Sequence, residues 1–458
     1  MNGEAGAVRR DRLPLLVVLA LVWMAVGDWP TTLSLGPLSV SGAATLLAGV
    51  ATVVLAPMLV LHGRGRSAPR SWNYLIPPGA RRPVVPVALV LFCAVALLGA
   101  LRAGSQSGVQ QASVYLGFAG AIAVGALYSE PGTARRFLEL TGVVMCLVGA
   151  FATVTYLMDV QIIGPRSYAL AATVAVAVLV PYRSERLLVR LAPYVLTAGI
   201  AASLSRTALV VAVLLLAFAV LRSRRGKRGF RIVLALVVLA ILAIAAFLSV
   251  PSLRDRFLVG DNGVDVGGVA LNTSGRAQIW AVVIQDSLSA PWIGQGAGTA
   301  SDLLAARYPD IAQPHDDYLR IWHDFGLVGL ALFLVAVLTL LIGAIRRVRR
   351  ADHPDRAVHW SATLGLLAVG AAALTDNPVI YPFVMLPLGV VVGLSIAGRE
   401  ALPAARAGHG SIAGREAAHD RIPAGPGGLR PIHTDVGDTR RIDRTPRAAG
   451  RAAARSRV

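Results

Sequence analysis

From Leu13 to Ala397 the sequence is a succession of apolar runs, each long enough or nearly long enough to cross a bilayer, joined mostly by short polar connections. Backbone amides in hydrocarbon must find their partners within the chain, so such a sequence folds as a bundle of transmembrane helices. Candidate spans fall near 13–29, 38–61, 83–101, 112–128, 137–158, 167–182, 187–204, 206–221, 231–250, 325–345, 358–375 and 378–397. The expectation is an all-α polytopic membrane protein of about twelve helices. Only 15% of the 458 residues are charged and 55% are apolar, which excludes an ordinary soluble domain. The first run follows Arg9, Arg10 and Arg12 as a signal peptide would, but GDWPTT after it lacks a small-residue cleavage pattern, so an uncleaved span is expected.

The net charge of +19 is almost entirely arginine, since Lys227 is the only lysine, and it is distributed unevenly. Arg64 to Arg82, Arg135 with Arg136, Arg183 with Arg186, the run from Arg222, the run from Arg346 and the tail are rich in it, and the connections between them are poor. Arginine-rich short loops stay cytoplasmic, which puts both termini inside and suits anionic lipid headgroups better than nucleic acid. Because Arg186 and Arg222 are both internal by this rule, the apolar stretch between them must go out and come back. The turn then falls at SLSRT, which carries Arg206 to the outer end of two helices.

The same alternation puts 251–324 outside, where a connection that long is functional or unstructured. Within it SGRAQIWAVVIQDSLSA has apolar residues at Ile279, Trp280, Val283, Ile284 and Leu288, an amphipathic helix with Arg276 in its first turn. The expected organisation is an N-terminal bundle of about nine spans over 1–250, an extracytoplasmic loop over 251–324, C-terminal spans over 325–397 and a disordered arginine-rich tail over 398–458. The glycines of WIGQGAGTA lack a preceding strand and make a weak dinucleotide fingerprint. Cys93 and Cys146 lie inside apolar runs and have neither disulfide nor metal spacing.

Of eight histidines, this topology leaves His315 and His323 on the outer side. His315 stands in AQPHDDYLRIW beside Asp316, Asp317, Tyr318 and Arg320, and imidazole is the natural proton acceptor near neutral pH. A loop histidine hydrogen-bonded for structure would read the same way. Arg102, Arg166, Arg206, Arg276, Arg307 and Arg320 also belong to the outer side, and arginine's planar fork binds phosphate oxygens in pairs. The acidic pair Asp261 and Asp265 forms no standard cation loop. The reading is therefore a chemistry that needs no metal or cofactor.

The string SGRAQIW, then PWIGQGAG, then PHDDYLRIWHDFGLVGLALF resembles the O-antigen ligase and O-antigen polymerase superfamily of membrane glycosyltransferases, and SLSR resembles its arginine-bearing turn. The resemblance is detailed over about 200–345 and elsewhere extends only to the multi-span pattern. It implies a GT-C-like fold, a polyprenyl-diphosphate-linked glycan donor, a glycan or lipid acceptor, and inverting, metal-independent transfer at the outer face of the bacterial cytoplasmic membrane. By motif it gives Arg206 and Arg276 the diphosphate and His315 the acceptor hydroxyl, with Asp324 where a glutamate is common. Asp316 departs from the family's usual asparagine. A transporter or flippase of lipid-linked oligosaccharides would also need outward arginines and is the competing reading, although neither internal repeats nor interrupted spans are evident.

Overall fold

A computed structural model describes residues 85–127, 131–158, 163–222, 275–308, 313–351 and 356–397, with Ile311 and four short strands. The expected spans at 13–29, 38–61 and 231–250, apart from the strand residues 38–39, and the tail lie outside the described residues. The described elements are β1 (Ser34–Leu35), β2 (Leu38–Ser39), α1 (Val87–Ala103), α2 (Gln106–Leu127), α3 (Pro131–Leu157), α4 (Pro165–Leu179), α5 (Leu187–Ala202), α6 (Arg206–Arg222), β3 (Val264–Val266), β4 (Val269–Leu271), α7 (Arg276–Ser287), α8 (Thr299–Arg307), α9 (Asp317–Arg350), α10 (Arg356–Ala372) and α11 (Pro382–Ala397). Each strand pair is a minimal antiparallel hairpin, so the architecture is helical.

Nine of the expected spans coincide with helices. α2, α3 and α9 are long and apolar enough to cross a membrane, and α1, α4, α5 and α11 are shorter apolar helices. α4 is the core of the bundle, buried at every residue from Ser167 to Leu179. The helices around it turn aliphatic side chains outward: Leu98 of α1, Leu147 of α3, Leu188 of α5 and Leu214 of α6 are each more than 60% exposed. Apolar exposure on that scale would drive a soluble protein to associate, and in a multi-pass membrane protein it faces lipid.

α2 and α11 approach through glycines. A Cβ on Gly393 would collide with the Ile122 carbonyl, and one on Gly125 with the Val390 carbonyl. Small residues at such a crossing let two backbones meet closely where no hydrophobic effect drives helices together.

Polar groups collect at the two ends of α4. Beyond its C-terminus, Glu139 binds Arg135 at 3.0 Å and Arg186 at 3.1 Å and accepts from the Tyr182 hydroxyl at 3.0 Å. At its N-terminus Arg166 meets His315 ahead of α9 and Asp376 of the α10–α11 connection, and Thr375 of that connection also bonds Arg276 of α7 and Thr207 of α6. The alternation of basic connections pairs the ends in this way, because 135–139 and 182–186 are assigned to one side and 166, 206, 276 and 315 to the other. The turn between α5 and α6 does fall at Ser203–Ser205, where Leu204 adopts φ 57° to reverse the chain tightly.

Candidate active site

α9 begins inside the motif stretch, so the residues after His315 are helical. Asp316 is its N-cap and accepts from the Leu319 amide at 2.9 Å. The carboxylate is thus turned to its own helix and not to the His315 ring. Asparagine caps a helix equally well, so the exchange relative to the family's usual residue leaves this local geometry intact. Burial pushes the Asp316 carboxyl up, against the pull of the Leu319 and Tyr318 amides and of Arg320.

Asp317 and Arg320 are fully buried and form an ion pair at 2.6 Å. The other Asp317 oxygen accepts from the Val379 amide at 2.8 Å, and its own amide donates to the Ala373 carbonyl. The Tyr318 hydroxyl donates to the Gly370 carbonyl at 2.8 Å. Tyr318 fastens the start of α9 to α10 and Asp317 fastens it to the connection after α10, while Arg320 is buried against Asp317 within α9.

Asp324 has a similar architectural place. One oxygen accepts from the Ala300 amide at 2.9 Å and the other from the Gly298 amide at 3.0 Å, capping α8 from a neighbouring helix. The backbone around it interlocks with the glycine loop: Gln295 and Gly296 donate to the carbonyls of His323 and Asp324, and Leu327 and Val328 donate to those of Pro291 and Trp292. Gly294 and Gly326 both have positive φ, and a Cβ on either would strike the opposing strand of this clasp. The glycine loop therefore serves close packing and has its amides engaged by α9. Asp324→Ala would leave two buried amides without an acceptor at about 1–3 kcal/mol each. The expected result is a lower thermal midpoint in detergent and faster proteolysis near 288–300; an unchanged midpoint would contradict the clasp.

His315 lies ahead of this helix with φ 58°, a left-handed conformation that costs a non-glycine residue roughly 1–2 kcal/mol. The Trp280 indole of α7 donates to the Pro314 carbonyl at 2.8 Å and fixes the segment. The imidazole is half-buried. Its Nδ1 lies 2.8 Å from Arg166 Nη2 and 3.0 Å from Asn377 Nδ2, and its Nε2 lies 3.2 Å from Arg166 Nη1. Arg166 in turn donates to both Asp376 oxygens, its shortest contact being 2.6 Å. Asp376 is 2% exposed and also accepts from the Asn377 amide.

Arg276 reaches the same place and donates to the Thr375 carbonyl at 2.7 Å. Thr207, next to Arg206, hydrogen-bonds the Thr375 hydroxyl at 2.5 Å. Burial lowers the Arg276 guanidinium, and the positive charges of Arg166 and Arg206 lower it further against the pull of Asp376. His315 is depressed to about 3 by burial and then by Arg166 and Arg276. At neutral pH the ring is uncharged beside the guanidinium groups of Arg166 and Arg276.

The fold thus gathers His315, Arg206 and Arg276, and removes Asp317, Arg320 and Asp324 to the supporting frame. Residues 191–334 match a family model described as O-antigen ligase. The match supports assigning this segment to the O-antigen ligase family. It begins in α5, contains Arg206, Arg276 and His315, and ends within α9. Comparison with curated proteins finds no match.

Arg166, Asp376 and Asn377 stand in the cluster but outside the matched segment. Sequence reasoning counted Arg166 among the outer arginines without a role and passed over Asp376 and Asn377. Their signal was a carboxylate and a carboxamide at the turn between two apolar spans, where a charged group is costly unless partnered.

Proposed function

We propose that the protein is a glycosyltransferase, a polymerase or ligase, that moves a glycan from a polyprenyl-diphosphate donor to an acceptor hydroxyl at the outer face of a bacterial cytoplasmic membrane. The observation that carries the reading is the convergence of Arg206, Arg276 and His315 at one end of the bundle, from three separate elements of the segment that matches the O-antigen ligase family.

In this mechanism the acceptor oxygen attacks the anomeric carbon of the donor sugar as its proton passes to a ring nitrogen of His315. The new carbon–oxygen bond forms while the bond to the diphosphate oxygen breaks, and that electron pair departs with polyprenyl diphosphate. Attack opposite the leaving group inverts the anomeric configuration. Arg206 and Arg276 neutralise the charge growing on the diphosphate, the task a divalent cation performs elsewhere. The Asp317–Arg320 pair, Tyr318 and the Asp324 cap hold the backbone that presents the base.

The apolar exterior suits a donor whose lipid tail stays in the bilayer while its diphosphate reaches the helix ends. The competing transporter reading would need the same arginines but no proton acceptor. Reconstituted protein given a short polyprenyl-diphosphate oligosaccharide should release polyprenyl diphosphate in step with new glycosidic bonds. Movement of intact donor across the bilayer, without release, would assign the protein to the transporter class.

A further inference from the structure

Arg166 is in contact with both ring nitrogens of His315, and it is anchored from behind. Its Nε donates to both Asp376 oxygens at 2.9 and 3.0 Å and its Nη2 to one of them at 2.6 Å, while the terminal nitrogens face the ring at 2.8 and 3.2 Å. A guanidinium only donates, and a neutral imidazole has one nitrogen lone pair. Arg166 nitrogens lie against both ring nitrogens, so whichever of the two carries the lone pair meets a guanidinium donor, and at Nδ1 the Asn377 carboxamide nitrogen adds a second at 3.0 Å. A base in that state has no free lone pair for a hydroxyl proton.

We infer that Arg166 is a positioning residue that holds His315 masked until the donor binds, and that the anionic diphosphate of the donor draws the guanidinium off the ring and so unmasks the base. This rests on the glycosyltransferase reading above. Arg166 is only partly enclosed, with a side-chain exposure of 36%, so it has room to turn toward a ligand while Asp376, at 2%, stays fixed. A diphosphate bound there supplies the countercharge that relieves the repulsion on the ring.

Among the described residues, the charged groups that act on the ring are Arg166 of α4 and Arg276 of α7; Asp376 of the α10–α11 connection is bonded to Arg166, Arg206 of α6 acts on Arg276, and Asp316 follows in sequence but is turned to its own helix. Burial and the two nearer arginines depress the ring to about 3. A base works only when neutral, so its contribution is lost as pH falls through its pKa. With the pKa held low, kcat/KM for the donor stays flat through mildly acidic pH. Removing one positive charge raises the free-state pKa, and the acid limb moves up.

The test compares wild type, Arg166→Gln, Arg166→Lys and Asp376→Asn, all checked for monodispersity in detergent. For Arg166→Gln the acid limb of donor kcat/KM should shift upward by about one pH unit or more, while Arg166→Lys, which keeps the charge, should stay near wild type in its limb and lose rate. Asp376→Asn, which frees the guanidinium from its anchor, should lower kcat more than it raises KM. An activity-independent readout is ring-nitrogen NMR of labelled histidine, with the His315 signal assigned by its loss in His315→Asn. Its titration should move upward in Arg166→Gln and, in wild type, on adding inorganic diphosphate. Superimposable acid limbs and titrations for wild type and Arg166→Gln would overturn the inference even if His315 proves essential. A shifted titration in a protein without transferase activity would instead leave the masking intact and sink the glycosyltransferase reading.

Discussion

His315→Ala is expected to abolish glycan transfer, lowering turnover by about 10²–10⁴-fold, the range for a positioned general base, in a protein that still inserts and accumulates. Its removal spares the frame, because the segment is held through the Pro314 carbonyl by Trp280 and through the Asp316 cap. Alanine at φ 58° adds some backbone strain, so His315→Asn is the cleaner variant: asparagine tolerates the left-handed region and carries no base. Product mass and membrane abundance, read together, decide the matter. Full activity in His315→Asn would exclude the ring as proton acceptor.

The second large effect is expected at the arginines. Arg206→Ala and Arg276→Ala should each lower kcat/KM for the donor by about 10²–10³-fold, by analogy with removing one donor from a preorganised anion site. Arg276 donates from Nη1 to the Thr375 carbonyl, and its planar fork carries further N–H donors able to meet an incoming phosphate. Lysine should rescue either position poorly, since an ammonium supplies a point charge where a planar fork binds two oxygens. Donor titrations at fixed acceptor measure this. Unaltered donor kinetics in both variants would remove the diphosphate role.

The helical architecture was legible because two sequence signals agree. Apolar runs marked the spans, and the alternation of arginines decided which ends face together, including the turn at Leu204 that hydropathy alone leaves ambiguous. Topology put His315, Arg206 and Arg276 on the outer side with several other arginines, and it was the resemblance of their motifs to a known family that singled out these three. What sequence could not settle was direction. Asp316, Asp317, Arg320 and Asp324 share one short stretch with His315, yet a helix turns successive side chains about its axis, so this acidic and basic run is divided between cap, buried pair and clasp. Arg166, Asp376 and Asn377 were harder still, since they enter from opposite ends of the chain and only packing around α4 brings them to the ring.

The apparent mismatch between a base depressed to about 3 and transfer at neutral pH is resolved by the ligand's own charge. Guanidinium groups that weaken the ring before the donor binds are the ones a diphosphate would neutralise, so the masking proposed above couples proton acceptance to donor occupancy.

The most direct measurement is the anomeric configuration of the bond made by purified protein from a defined polyprenyl-diphosphate oligosaccharide. A single displacement with His315 taking the proton predicts a product of inverted configuration, formed with one equivalent of released polyprenyl diphosphate and absent in His315→Asn. Retained configuration, or undiminished product from that variant, would contradict the account.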